Sequence, residues 1–384
     1  PSHAAVLTGL DILEKQNFAP LAGKRVGLIA NHTSIDREDR SAVDVLFNSG
    51  KVKLAAIFSP EHGFRGTADH GEKVESSTDT DTGLTVYSLY GKTRRPSPEM
   101  LAGLDALVFD IQDVGARFYT YLATMGYAME EADNLGLDFF VLDRPNPITG
   151  SITEGPVLAD GIRFFTAYFP VPVRHGLTPG EMARLHAADK KLSRIRLTVI
   201  PLEGWERSMW YDETGLRRVN PSPNIRSVEA EALYPGIGCF EATNVAVGRG
   251  TDSPFTWFGA PWLKGRKLAK KLSESGIAGI KFERKKLTPS NDVYSGEKCD
   301  GVKMTITDRN VLRSLEIFIR AACILREIQP DEFRIKWEEM RKMTGTDSFR
   351  ALYTSGAAPE VILAEFDKSR KEFEESRKQY LLYR

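Results

Sequence analysis

Between residues 24 and 201 the chain alternates short continuous apolar runs with segments whose apolar residues recur at helical spacing. The runs at 25–31 (RVGLIAN), 52–60 (VKLAAIFSP), 86–90, 106–112 (ALVFDIQ), 138–143 (DFFVLD) and 196–202 read as strands. Segments 41–48, 98–104, 120–135 and 178–192 read as the helices between them. Continuous β-branched runs separated by helices predict a parallel sheet covered on both faces, an α/β, Rossmann-like unit. A loop-rich stretch at 220–224 (NPSPN) marks a boundary. Residues 1–225 are therefore expected to form the Rossmann-like domain, and 226–384 a smaller α+β domain. In the second part, the glycine-rich stretch 236–250 predicts strands joined by tight turns. A basic helix at 264–275, strands at 280–287 and 302–307, and a mostly helical tail from 309 to 383 follow. Segment 368–378 (KSRKEFEESRK) mixes both charge signs, as a solvated helix face does.

A length of 384 residues fits two domains, and 41% hydrophobic residues can fill a large core. No apolar run approaches the roughly 20 residues of a membrane span. The 52 basic and 52 acidic residues cancel, which argues against a general nucleic-acid binder. The cysteines Cys239, Cys299 and Cys323 make no CxxC pair, so they read as buried thiols rather than a zinc site. One disulfide stays open if the protein is exported.

Ligands of open parallel sheets bind beyond the carboxyl ends of the strands, so the residues after each run matter most. The first turn reads Asn31-His32-Thr33-Ser34, without the GxGxxG of a dinucleotide site. The second run leads into SPEHGFRG at 59–66, the 106–112 run into DIQDVGARFYTY at 110–121, and the 138–143 run into DRPNP at 143–147. Carboxylates, amides, arginines and tyrosines would converge in one cleft, a composition suited to a sugar. Glu61, at a strand end in a loop shaped by Pro60 and Gly63, is the leading candidate. Partial desolvation there would suit a general acid. The other reading is a carboxylate paired with Arg65. His62 would orient Glu61 or bind substrate. Asp110 and Asp113 are candidate second carboxylates, although Asp113 also suits a helix cap. Asn31, Gln112, Arg117, Tyr119, Tyr121, Asp143, Arg144 and Asn146 are candidate substrate contacts. Glu241, Asn244 and Arg249 would close the cleft from the opposite wall. Trp257, Phe258 and Trp262 are either a stacking platform or core. The sequence has no HExxH and no GxSxG, so neither a metal site nor a serine hydrolase is expected.

Five motifs, NHTS at 31–34, SPEHGFRG at 59–66, FDIQDVGARFYTY at 109–121, LDRPNP at 142–147 and EATNVAVGRGT at 241–251, occur in order along the chain. Together they resemble the bacterial exo-β-N-acetylmuramidase family, glycoside hydrolase family 171, long described as a domain of unknown function. The resemblance runs from about residue 9 to the C-terminus. It implies an active site in the cleft between the two domains and release of N-acetylmuramic acid from non-reducing ends of peptidoglycan fragments. It also implies no cofactor, and a periplasmic or extracellular place, with any signal peptide already removed from a chain that begins Pro1-Ser2-His3. The implied partner is a peptidoglycan-derived glycan or muramyl disaccharide. Glu61 matches the family's catalytic glutamate. Competing readings are a metal-assisted hydrolase of another cell-wall bond and a non-catalytic sugar-binding module.

The mechanism stays open at this stage. Two carboxyl groups lie about 5–5.5 Å apart in retaining glycosidases and about 6.5–9.5 Å apart in inverting ones. Asp110, Asp113 and Glu241 compete for the second role, and the substrate's own acetamido group is a further nucleophile. Selectivity for the lactyl carboxylate of N-acetylmuramic acid calls for a cation. Arg65, Arg117, Arg144 and Arg249 are the candidates.

Overall fold

The computed structural model describes residues 5–61, 76–91 and 93–384. Seven strands form the larger sheet: β1 (Arg25–Ala30), β2 (Lys53–Ser59), β3 (Ser77–Thr78), β4 (Thr85–Ser88), β5 (Ala106–Asp110), β6 (Asp138–Leu142) and β7 (Arg196–Ile200). Their order is β3-β4-β2-β1-β5-β6-β7. Every pairing is parallel except the short edge hairpin of β3 with β4. The α/β, Rossmann-like expectation therefore holds. β5 is buried along its whole length, which explains its unbroken apolar sequence.

Chain direction sets where the cleft opens. From β1 the chain moves outward through β2 to β4, then returns to place β5 on the other flank of β1. The C-terminal ends of β1 and β5, where Ala30 pairs with Asp110, form the switch point that leaves a crevice in such sheets. Gly27 keeps β1 close to its cover: a Cβ there would lie 2.6 Å from the Phe58 ring.

The helices start and stop on local chemistry. Helix Pro179–Asp189 begins at a capping box in which Thr178 and Glu181 satisfy each other's backbone N–H. Helix Tyr121–Leu135 ends at Gly136 in the left-handed conformation.

The C-terminal part carries an antiparallel sheet of β8 (Trp257–Ala260), β9 (Ile280–Leu287) and β10 (Cys299–Ile306), ordered β8-β10-β9. Helices Gly265–Glu274, Ser314–Ile328, Trp337–Thr344, Ser348–Thr354 and Pro359–Ser376 accompany it. The strands expected across 236–250 do not form. Helix Val228–Ile237 runs into that stretch and a 3-10 turn, Gly238–Ala242, follows. Gly236 serves close helix packing, because a Cβ would meet the Ser314 carbonyl oxygen at 1.8 Å. Trp257 and Phe258 are fully buried, and Phe258 stacks on Phe240, so they belong to the core. The Trp262 indole N–H donates to the Tyr294 hydroxyl. All three cysteines are buried free thiols.

The charged tail is only partly solvated. Arg377 is 7% exposed and donates to the carbonyls of Gly150, His175 and Gly176. Beyond it, the Leu382 N–H donates to Glu181, and the Tyr383 hydroxyl donates to Asp143. The C-terminus thus returns to the first domain.

Candidate active site

Glu61 stands one residue beyond Pro60, past the end of β2, and is 4% exposed. The Thr120 hydroxyl donates to its Oε2 at 2.6 Å, and the Tyr90 hydroxyl is hydrogen-bonded to it as well. Burial first, then the charge of Glu61, push the Tyr90 phenol well above its ordinary range. Hydroxyls can donate to a carboxylate or accept from a carboxylic acid, so these contacts suit Glu61 in either protonation state. Beside Glu61 lies a small cavity of about 40 Å³, lined among others by Tyr119, Thr120, Tyr234, Phe255 and Arg249.

The aromatic wall is built from both domains. Tyr119 packs edge-on against Tyr121 at 4.8 Å and against Tyr234 at 5.9 Å, and Tyr234 does the same with Phe255 at 4.8 Å. The hydroxyls of Tyr119 and Tyr121 both donate to the Pro221 carbonyl, at 3.1 and 2.6 Å. This pair ties the interdomain loop to the first domain beside the cavity.

Arg249 forms the outer rim. Its Nε and Nη2 both reach Oε1 of Glu241, at 2.8 and 2.7 Å. Its guanidinium sits 5.1 Å from the Phe255 ring centre. Arg249 also lines a larger groove, of about 420 Å³, that runs along the C-terminal part past Glu241, Asn291, Asp292 and Lys336. The cavity and the groove share this side chain.

Of the candidates named from the sequence, Glu61, Tyr119 and Arg249 line the same cavity, with Glu241 and Tyr121 adjacent. The others hold the scaffold. Asp110 and Arg144 form a buried two-point pair, Nε–Oδ1 2.5 Å and Nη2–Oδ2 2.9 Å. Burial pushes the Asp110 carboxyl up, while Arg144 pulls it back. Arg144 stays charged, because Asp110 outweighs the burial that opposes its charge. Asp143 accepts from Tyr383 at 2.5 Å, Thr178 at 2.8 Å and the Gly180 N–H at 2.8 Å. Burial raises its carboxyl to about 7. Asp113 accepts from the Gly115 N–H at 2.8 Å and faces His175 Nε2 at 3.2 Å. The Leu177 N–H donates to His175 Nδ1, which assigns the ring proton to Nε2.

Gln112 donates to the carbonyls of Asp113 and Pro145, and Asn146 to that of Leu177. Arg117 donates to the carbonyls of Pro156, Val171 and Met343, and burial pulls it down to about 9. Asn244 bridges Glu332 and Arg334. Asn31 accepts from Thr33 and borders a separate depression beside Asp79 and Asp81. His62 and Arg65 lie outside the described residues. Among the described residues, no group of three or more His, Cys, Asp and Glu side chains is placed to hold a metal.

Comparison with known proteins places the chain in a family. Sequence profiles described as the N-terminal and C-terminal parts of the exo-β-N-acetylmuramidase NamZ match residues 26–229 and 232–383. The chain belongs to the NamZ family. It is 40% identical to the peptidoglycan β-N-acetylmuramidase NamZ of Bacillus subtilis, across 98% of this chain and 91% of that protein. Two crystal structures of DUF1343 family proteins from Bacteroides fragilis superpose with TM-scores of 0.93 and 0.82, at 36% and 30% identity. Each alignment covers 99% of both chains. The two NamZ profiles part between 229 and 232, at the start of helix Val228–Ile237 and a few residues beyond the loop taken as the boundary.

Four residues beside Glu61 and its cavity escaped the sequence reading. Tyr90 follows β4, so applying the strand-end rule to that run would have found it. Thr120 sits inside a motif already singled out. Tyr234 and Phe255 carry no local signal, since each is an aromatic residue in an ordinary apolar setting.

Proposed function

We propose that this protein is an exo-acting glycosidase that removes N-acetylmuramic acid from the non-reducing ends of peptidoglycan fragments. Family membership across both domains and 40% identity to a peptidoglycan β-N-acetylmuramidase support the activity. In this reading Glu61 is the general acid. The observation that carries it is a buried carboxyl fixed by Thr120 and Tyr90, at the edge of an aromatic-walled cavity. Glu61 gives its proton to the glycosidic oxygen as the bond from C1 to that oxygen breaks. The leaving sugar departs with a free hydroxyl, and water completes C1 of the released N-acetylmuramic acid. Tyr119 and Tyr234 offer faces and edges for the sugar's C–H surface.

Among the described residues, Glu61 is the one carboxyl lining this cavity. In this reading the substrate's 2-acetamido group is the internal nucleophile, with retention at C1. A periplasmic or extracellular place follows from where such fragments occur and belongs to the same proposal.

The test is N-acetylmuramyl-β-1,4-N-acetylglucosamine given to the wild type and to Glu61→Gln, with product anomers followed by NMR. The wild type should release N-acetylmuramic acid, first as the β anomer. Loss of a general acid lowers turnover by about 10²–10⁴-fold. Full turnover by Glu61→Gln removes Glu61 from the chemistry, and first release of the α anomer removes acetamido participation.

A further inference from the structure

N-acetylmuramic acid differs from N-acetylglucosamine by a lactyl ether on C3 that ends in a carboxylate. A site that selects the first sugar over the second gains most from a guanidinium with two N–H groups free to meet that carboxylate. Four arginines were candidates from the sequence, and the structure separates them. Arg144 is spent on Asp110 and the Ile35 carbonyl. Arg117 is spent on three backbone carbonyls. Arg65 lies outside the described residues. Among the described residues, Arg249 is the one cationic side chain lining the cavity that holds Glu61.

Its geometry suits the task. Glu241 engages Nε and Nη2 through a single oxygen, and Asp292 lies 3.7 Å from Nε. Both acids therefore address the Nε side of the fork. Nη1 makes no hydrogen bond among the described residues, and it is not sealed from solvent. Phe255 supports the flat face. The side chain is 12% exposed, so its head is fixed rather than swinging in water. Burial opposes the charge, and Glu241, Tyr234 and Asp292 together more than offset it. By cancelling part of the field, Glu241 leaves a site that rewards a carboxylate in the right place rather than any anion. The scissile bond is on C1 and the lactyl ether on C3, so acid and cation must face the ring from different walls. Tyr234 lines the same cavity as Glu61 and Arg249.

We infer that Arg249, oriented by Glu241, is the residue that binds the lactyl carboxylate and sets the preference for muramyl over glucosaminyl ends. This rests on the muramidase reading above.

The experiment compares three nitrophenyl β-glycosides: N-acetylmuramide as the free acid, its lactyl methyl ester, and N-acetylglucosaminide. The wild type, Arg249→Met and Arg249→Lys are each assayed. For the wild type, kcat/KM should favour the free acid over the ester by about 10- to 100-fold, the range of a charge-assisted contact. In Arg249→Met that ratio should fall towards one, through KM for the acid, with kcat on the ester within a few-fold of wild type. Arg249→Lys keeps the charge without the fork and should fall between, and it carries the comparison if Arg249→Met does not fold. An unchanged acid-to-ester ratio in either folded variant overturns the assignment. A wild type that cleaves neither muramide overturns the muramidase reading, and this inference with it.

Discussion

Asp110 presents a choice between chemistry and architecture, and the structure predicts which perturbation separates them. Its carboxylate and the Arg144 guanidinium are both almost fully buried and meet at two points, while Arg144 also donates to the Ile35 carbonyl. Arg144→Met leaves the Asp110 charge buried without its partner, a change that costs about 3–5 kcal/mol. For a unit of this size that lowers the melting temperature by on the order of 10 °C. Asp110→Leu strands the guanidinium instead and should cost a similar amount. The double variant replaces two buried charges with apolar groups of similar bulk, so its loss should be well below the sum of the singles. The assay is urea unfolding of all four proteins, followed by circular dichroism, beside turnover of the muramyl disaccharide. If the double variant loses as much as the two singles added, the pair is not coupled and the anchoring argument is wrong. If Asp110→Leu keeps wild-type stability but loses all turnover, Asp110 acts in the reaction.

Three further expectations follow from single contacts. Glu231 is buried beside Arg218, 3.0 Å away, with Oε2 unbonded, and burial raises its carboxyl to about 7 from an ordinary 4.5. The folded state therefore holds a proton the unfolded state has lost between those values, and stability falls as pH rises through that window, by about 3 kcal/mol. Glu231→Gln should flatten that slope and be the more stable protein at pH 8, and an unchanged slope in denaturant titrations would refute the assignment. Tyr90→Phe removes one of the hydroxyls on Glu61 and should lower kcat by about 10-fold or more with an unchanged circular dichroism spectrum. A wild-type kcat would place Tyr90 outside the reaction. Tyr383→Phe deletes a donor to Asp143 and an acceptor for the Leu202 N–H. It should cost about 1–3 kcal/mol and speed carboxypeptidase trimming of the tail, whereas equal trimming rates would mean the tail is held elsewhere.

The architecture of the first domain was written in local pattern. Runs such as 106–110 are apolar throughout because a central parallel strand is covered on both faces, and no fold is needed to see that. Glu61 stands out for a related reason, because strand ends of such sheets open onto the crevice, yet Asp143 holds the same kind of position past β6 and serves the scaffold. The stretch 236–250 misled because glycine has two physical meanings, a turn or a close approach. Only the Ser314 backbone against Gly236 distinguishes them.

The polar residues near the strand ends divide in the same way. Their identities marked a region rich in hydrogen bonds, but Asp110, Arg117, Asp143 and Arg144 face partners 34 or more residues away in the chain or carbonyls of distant loops. Whether a buried arginine meets a carboxylate, a carbonyl or open space depends on the packing of elements remote in sequence, which local composition does not encode. Fold class and strand ends were determined by the sequence itself. The separation of anchoring charges from Glu61, and the open edge of Arg249, were decided only when the two domains met.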